Sequence, residues 1–453
     1  MRRSPLNICI NLGGLLMKKY CHYVKEKLNS IINEMEKSSE SFVKNPGKDF
    51  VRNRKLSFQA VMKLLLSMGG NTIYKELLDY FKFDINTATA SAFVQQRSKI
   101  LPDASEYLFK NFTSSFDHYK LFDGYRLLAI DGSKLNIAHN PKDTDTYVKC
   151  QDNAKGFNVL HLNALFDLCN KVYIDGCVQP VRELNENLAL TNMVDKSTID
   201  SDVIIIADRG YESYNTFAHI EEKGWKYVIR VKDICSKGIA SSLKLPSCGA
   251  FDKKINLQLT RRQTKEIKNN PEIYKFMPTN SKFDYLELKS HNFYPIEFRV
   301  IRFKISDDTY ETIITNLNEN KFSAEKIKEL YHMRWGIETS FRELKYAIGL
   351  VNFHSKKVEY IVQEVFAKLT MYNFCEIITC NVVITNKQRK HDYQVNFTNA
   401  IYICMYFFKQ SDDEHPPDVE TLIQKNILPV RKGRKDPRKI RSKSSVSFLY
   451  RVA

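Results

Sequence analysis

The spacing of apolar and polar positions divides the chain into helical and strand-like stretches. Residues 20–42 read as a polar helix with apolar positions at Ile31, Ile32 and Met35. Beyond Pro46 and Gly47, Leu56–Met68 is a strongly helical run, broken by Gly69-Gly70 and resumed over Thr72–Phe83. Thr87–Ile100 is a further helix, ended by Pro102. Short helices around a glycine turn predict a small all-α module, compatible with helix-turn-helix geometry and equally with a plain bundle.

From Tyr125 the pattern becomes that of strands. Arg126–Asp131 is a short apolar strand ending in a carboxylate. Phe157–Asp167 and Lys171–Val178 are predicted strands joined as a hairpin by Leu168-Cys169-Asn170. Asn185–Lys196 reads as a helix. Asp202–Asp208 is an unbroken apolar, β-branched run, typical of a strand buried on both faces, and it again closes on Asp. A helix over Glu212–Lys223 and a strand over Trp225–Val231 follow. Ile255–Thr260, Tyr285–Leu288, Ile296–Ile305 and Thr312–Leu317 then predict a strand-rich insertion. Ser323–Ile348 is a long helix or helix pair, and Val358–Ile384 a second long helix.

Composition narrows the class. The 43% hydrophobic content, 24 Tyr and 28 Phe of this 453-residue chain are far from a disordered composition. Glu359, Glu364, Lys368 and Glu376 interrupt Val358–Ile384, so it reads as a buried or interfacial helix and not as a membrane span. Asn7, Asn11 and two glycines break the apolar N-terminal run, against a secretory leader. The ten cysteines contain no C-x-x-C pair, which argues against structural zinc and fits reduced thiols. Lys+Arg 69 against Asp+Glu 52 leaves +17, which points to a polyanionic partner, nucleic acid or an anionic surface. Residues 431–443 alone carry eight Lys/Arg against Asp436, a tail suited to phosphates.

Two strand-terminal aspartates, Asp131 and Asp208, are candidates for chemistry. Ligands of open α/β sheets gather outside the carboxyl ends of strands. Two carboxylates brought together there repel unless a cation lies between them, and Mg²⁺ is held by one or two carboxylates plus substrate phosphates. Each aspartate taken alone reads equally well as a turn residue, in Asp131-Gly132 and Asp208-Arg209-Gly210. A third acid lies on the helix around residues 331–345. At about 100° per residue, Tyr331, Arg334, Glu338 and Lys345 share an arc of about 60°. Met333, Ile337, Phe341, Leu344 and Ile348 form an apolar stripe beside them. An ordinary amphipathic helix would show the same mixture.

The spacing Tyr-x2-Arg-x3-Glu-x6-Lys, met by Tyr331, Arg334, Glu338 and Lys345, resembles the YREK signature of the IS-four family of insertion-sequence DDE transposases. Ala129–Ser133 resembles the family's first catalytic Asp motif and Ile206–Tyr211 its second. The resemblance spans roughly residues 45–450. It implies an α/β fold, a ribonuclease-H-like catalytic core interrupted by a β-strand-rich insertion, with α-helical N- and C-terminal regions. The boundaries expected are 1–120 for a helical DNA-binding region, 121–232 and 319–350 for the core, 233–318 for the insertion and 351–453 for a helical region with the basic tail.

The same resemblance implies two Mg²⁺ ions, replaceable by Mn²⁺, on Asp131, Asp208 and Glu338. Water would free a 3′-hydroxyl at each element end, the hydroxyl would form a hairpin with the opposite strand, and reopened ends would attack target DNA. Arg334 and Lys345 would meet phosphate oxygens, the first as a planar fork and the second as a point charge. Tyr331 would donate to phosphate or pack on a sugar, and Arg230 and Lys232, at the end of Tyr227–Lys232, would lie near DNA. Partners implied are double-stranded DNA, as terminal inverted repeats and target, and a second copy in a synaptic homodimer, in a bacterial, nucleoid-associated setting without a membrane. The family braces a flipped base with an indole from the insertion; residues 233–320 hold no Trp, and Phe251, Tyr274, Phe276 and Tyr285 are the replacements on offer. Trp335 reads as a core residue or a stacking one, and His161 as a packed or surface histidine. The rival readings are a decayed, non-catalytic DNA-binding protein and a nuclease of the same fold without strand transfer.

Overall fold

The computed structural model describes residues 15–116, 120–149, 155–306, 309–382, 393–410 and 416–430. The apolar N-terminal start and the basic tail at 431–443 lie outside the described residues. Five helices come first: α1 (Leu15–Lys37), α2 (Phe58–Ser67), α3 (Ile73–Tyr80), α4 (Ala90–Arg97) and α5 (Asp103–Ser114). Next come β1 (Arg126–Ile137), β2 (Tyr147–Val148), β3 (Phe157–Asp167), β4 (Val172–Pro180), α6 (Glu186–Lys196), β5 (Val203–Ala207), α7 (Tyr214–Glu222) and β6 (Lys226–Val231). They are followed by β7 (Phe251–Thr260), α8 (Lys265–Asn269), β8 (Tyr274–Phe276), β9 (Phe293–Ser306) and β10 (Thr309–Thr315). The remainder comprises α9 (Ala324–Met333), α10 (Trp335–Tyr346), α11 (Val358–Thr379), β11 (Tyr393–Val395), α12 (Phe397–Lys409), α13 (Val419–Lys425) and β12 (Ile427–Pro429).

The chain divides into two compact units. One comprises Met1–Asp117, Leu135–Leu160 and Ser340–Ala453, the other His118–Lys134 and His161–Thr339. In the first, α11 is the central helix, and nearly every residue along it is buried. That explains its lack of a polar face, and among the described residues no helix is long and apolar enough to cross a membrane. Two of the charged residues that interrupt its sequence are partnered in the interior of the unit. Glu364 meets Arg97 at 2.7 Å, and Lys368 donates to the Met68 carbonyl. The Gly69-Gly70 break is a capped turn: the buried Glu76 carboxylate accepts the N–H groups of Gly69 and Asn71, each at 2.9 Å.

In the second unit a mixed sheet runs β3-β1-β5-β6-β10-β9-β7-β8, with β4 pairing the outer side of β3. β1, β5 and β6 are mutually parallel, and β10, β9 and β7 continue antiparallel from β6. Alternate residues divide between two cores. Leu128, Ile130, Ile205, Ala207, Tyr227 and Ile229 pack with α6 and α7 on one face. Leu127, Ile204, Ile206 and Val228 pack with Ile327, Leu330 and Tyr331 of α9 on the other. A period-two pattern with both faces covered reads in sequence as a continuous apolar run, which is why β5 and β6 are legible there. Two expectations need correction. β1 continues past Asp131 to Ile137, extended where an Asp-Gly pair suggests a turn. Tyr285–Leu288 forms turns instead of a strand, with Phe283 and Leu286 buried as a plug on the α7 face of the core.

Candidate active site

The β1–β5 pairing builds the site. Its parallel register matches Leu128 with Ile205 and Ala129 with Ile206. Continued by two residues, the same offset sets Asp131 level with Asp208 on neighbouring strands, which lie about 4.8 Å apart in any sheet. Asp131 Oδ1 accepts the Gly132 N–H at 2.9 Å, and Asp208 Oδ1 accepts that of Gly210 at 2.8 Å, opening a short 3₁₀ turn over Arg209–Tyr211. Two carboxylates are thereby fixed on adjacent central strands, Asp208 just past the end of β5 and Asp131 within β1, just beyond its pairing with β5.

Glu338 arrives from the first turn of α10. Arg334, between α9 and α10, is buried and forms a 2.8 Å ion pair with Glu338, while its other terminal nitrogen stands 4.0 Å from Asp131. One guanidinium thus links the helix acid to the strand acid. Burial pushes the Asp131 carboxyl up to about 6; the Gly132 N–H and Arg334 oppose the rise, and Asp208 and Glu338 add to it. A buried acid with only partial counter-charge is a receptive neighbour for a cation. The oxygen-only donor set also suits a hard divalent ion such as Mg²⁺. Among the described residues, no three acids already converge as a finished cage. Mg²⁺ sites built from one or two carboxylates and substrate phosphate need none.

The flanking residues divide. Tyr331 is buried, its ring between Arg230 (5.9 Å) and Arg334 (5.7 Å) and its hydroxyl without a hydrogen-bond partner. Burial raises its pKa. Arg230 is held by Glu311 at 3.1 Å, on the neighbouring strand β10. Lys232 is exposed just past β6. Trp335 is 48% exposed, with the Arg334 guanidinium 5.3 Å from its ring. Lys345 is half-buried two turns beyond Glu338 on α10, and burial lowers its pKa. Of the replacements considered for an insertion indole, Tyr274 packs on Phe293 and Tyr285 on Phe283, Tyr294 and His219.

Sequence reasoning missed Glu186 and Tyr211. Glu186 opens α6 beside both glycines that follow the aspartates. A Cβ on Gly132 would lie 2.6 Å from Glu186 Oε1, and one on Gly210 would lie 3.1 Å from its Oε2. An acid at the first position of a helix is ordinary complementation of the helix dipole, so nothing in the sequence singles it out. His161, buried on β3, stands 3.1 Å from Glu186 without an aligned hydrogen bond.

Residues 123–374 match the family described as the transposase DDE domain, a span that includes Asp131, Asp208 and Glu338. No curated protein matches the chain. Among solved structures, a cryo-EM structure of the piggyBac transposase synaptic complex with hairpin DNA is similar at 12% identity, over 96% of this chain and 90% of that one, with a TM-score of 0.45.

Proposed function

The chain belongs to the transposase DDE domain family, and on that premise we propose that it is a DNA transposase whose acids are Asp131, Asp208 and Glu338. The observation that carries the assignment is the level pairing of Asp131 and Asp208 on adjacent parallel strands, with Arg334 joining Glu338 to the same point. A ribonuclease-H-like core is supported by the order β4-β3-β1-β5-β6, a hairpin beside three parallel strands with the first acid on the middle strand of the five. The YREK spacing supports the IS-four family within this larger one, and with it the cut-and-paste course through hairpin ends.

Asp131 and Asp208 would hold the divalent ions, with Glu338 released to them from Arg334. Bound there, Mg²⁺ supplies Lewis-acid activation of the attacking oxygen and steadies the leaving one. The remaining work belongs to the chain. Arg334 holds Glu338 beside Asp131 until the ions take it, and its guanidinium then turns its N–H groups to phosphate. The Tyr331 ring lies within cation–π range of Arg230 and Arg334, and the two guanidiniums bring positive charge to the side where a DNA backbone would lie. Lys232 and Lys345 add point charges. The net charge of +17 supports DNA as the partner, and a homodimer would bring two element ends together.

The test uses a labelled duplex carrying the DNA that flanks this reading frame, with Mg²⁺ or Mn²⁺. Metal-dependent nicks, hairpins and joined products, absent from Asp208→Ala and Glu338→Ala, are expected. Tight, salt-sensitive binding without cleavage would favour a non-catalytic DNA-binding protein. Cleavage without joining would favour a nuclease, and cleavage that persists in both variants would refute the acid assignment.

A further inference from the structure

Glu186 stands where a fourth acid would complete the site. It approaches from the α6 side of the sheet, opposite to Glu338, which comes from the α9 side. Gly132 and Gly210 leave the space it occupies. Any side chain at Gly132 would meet Glu186 Oε1 and the His161 ring. Asp208 Oδ1 and Glu186 Oε2 lie 3.0 and 3.1 Å from one point above Gly210. The placement is built, not incidental. Asn185 caps α6 by accepting the Leu188 N–H at 2.9 Å, and Asn187 ties the same turn to the Gly210 carbonyl at 3.1 Å.

A second observation points to a ligand. Tyr211 is 1% exposed, its hydroxyl has no hydrogen-bond partner, and burial together with the charges of Glu186, Asp131 and Asp208 raises its pKa. Both ring nitrogens of His161, 5% exposed, also lack an aligned partner. Buried polar groups in native proteins are satisfied in the great majority of cases. The Tyr211 hydroxyl calls for a partner that the chain does not supply, and water on a bound ion would be one.

Resting on the catalytic reading above, we propose that Glu186 is a further carboxylate ligand for a divalent cation, joining Asp131 and Asp208 from the α6 face. Mn²⁺ alone is titrated into the purified full-length protein without DNA, with free ion read by electron paramagnetic resonance and thermal unfolding followed with and without Mn²⁺. Glu186→Gln and Asp208→Asn are each expected to weaken Mn²⁺ binding about tenfold or more and to remove the Mn²⁺-induced rise in Tm. Glu183→Gln, an exposed acid just before α6, is expected to do neither. The ion-free Tm of Glu186→Gln should be no lower than that of wild type, because one of several like charges has gone. Glu186→Asp, which keeps the charge but shortens its reach, should fold normally and bind Mn²⁺ more weakly. Unchanged binding in Glu186→Gln with loss in Asp208→Asn would overturn this inference and leave the catalytic reading intact. Unchanged binding in both variants, or no saturable binding by wild type at millimolar Mn²⁺, would likewise overturn this inference, while the catalytic reading, in which substrate phosphate completes the site, stands or falls with the DNA cleavage assay.

Discussion

Replacing Arg97 with Met removes the counter-charge from the interior of the first unit. Arg97 and Glu364 are each 2% exposed and meet at 2.7 Å. Arg97 also donates to Gln363 Oε1 at 3.0 Å and to the Tyr360 carbonyl. Burial alone would raise the Glu364 carboxyl, but Arg97 and the His354 contacts outweigh it and hold Glu364 down at about 2. Measured from an ordinary value of 4.5, that depression is worth about 3 kcal/mol at 1.36 kcal/mol per unit. The figure agrees with the roughly 3–5 kcal/mol lost when one member of a buried ion pair is removed. Arg97→Met should therefore destabilise the protein by about 3 kcal/mol in urea titrations at neutral pH. The pH dependence follows from the sign. A depressed carboxyl contributes stability above its unfolded value and loses it as pH falls towards 2, so wild type should weaken only in strong acid. In Arg97→Met burial is no longer outweighed and the Glu364 pKa rises, so this acid-induced loss should shrink or reverse, because protonation then relieves a buried, unpaired charge. Pairing Arg97→Met with Glu364→Leu should cost less than the sum of the singles, by more than about 1 kcal/mol. A loss below about 1 kcal/mol, or strict additivity, would refute the claim that this pair organises the unit.

Three further outcomes are expected. Gly132→Ala would push a methyl into His161 Nε2 and Glu186 Oε1 and should cost about 1–3 kcal/mol in denaturant titrations; a neutral effect would mean the cradle is loose. Lys232→Ala should leave stability within about 0.5 kcal/mol and lower the slope of log affinity against log salt for DNA by about 1, whereas Arg230→Ala should also destabilise, because it leaves Glu311 without its 3.1 Å partner; equal stability for the two variants would contradict the geometry. Lys368 is fully buried and its pKa falls to about 8, so the unfolded chain binds more protons from there to about 10.5 and stability should rise with pH across that window, by up to about 3 kcal/mol; Lys368→Met should abolish the rise in pH-dependent melts.

Where local pattern and tertiary environment agree, the sequence is a sufficient guide. β5 and β6 are covered on both faces, so unbroken apolarity marks them. α2, α3 and α4 begin at Ser57, Thr72 and Thr89, each of which accepts a backbone N–H from the residue three along. The arc of Tyr331, Arg334, Glu338 and Lys345 is visible because local helical spacing carries it, although the structure divides it between α9, the Arg334 junction and α10. Features made by juxtaposition are not visible. Asp131-Gly132 reads as a turn until the partner strand holds it extended. Tyr285–Leu288 imitates a strand because a buried plug and a strand use the same residue types. Trp335 is the reverse case, a residue type usually buried that here stands 48% exposed beside the site.

Glu186 illustrates the general point about sites of this kind. Asp131, Asp208 and Glu338 come from β1, β5 and α10, and each stands in a pattern that can be recognised by itself. Glu186 has no such pattern. Its importance rests on two glycines more than twenty residues away on either side, and on an unpartnered Tyr211 hydroxyl that no sequence spacing connects to it. The same two glycines explain why the aspartates can be approached from the α6 face at all, since a Cβ at either position would fill the approach. If Glu186 ligates, then Asp131-Gly132 and Asp208-Arg209-Gly210 are units in which the acid supplies charge and the glycine supplies access. Gly210→Ala would then lower Mn²⁺ affinity while leaving Asp208 in position, whereas a glycine needed only for its turn would lower stability and leave the affinity of the folded protein unchanged.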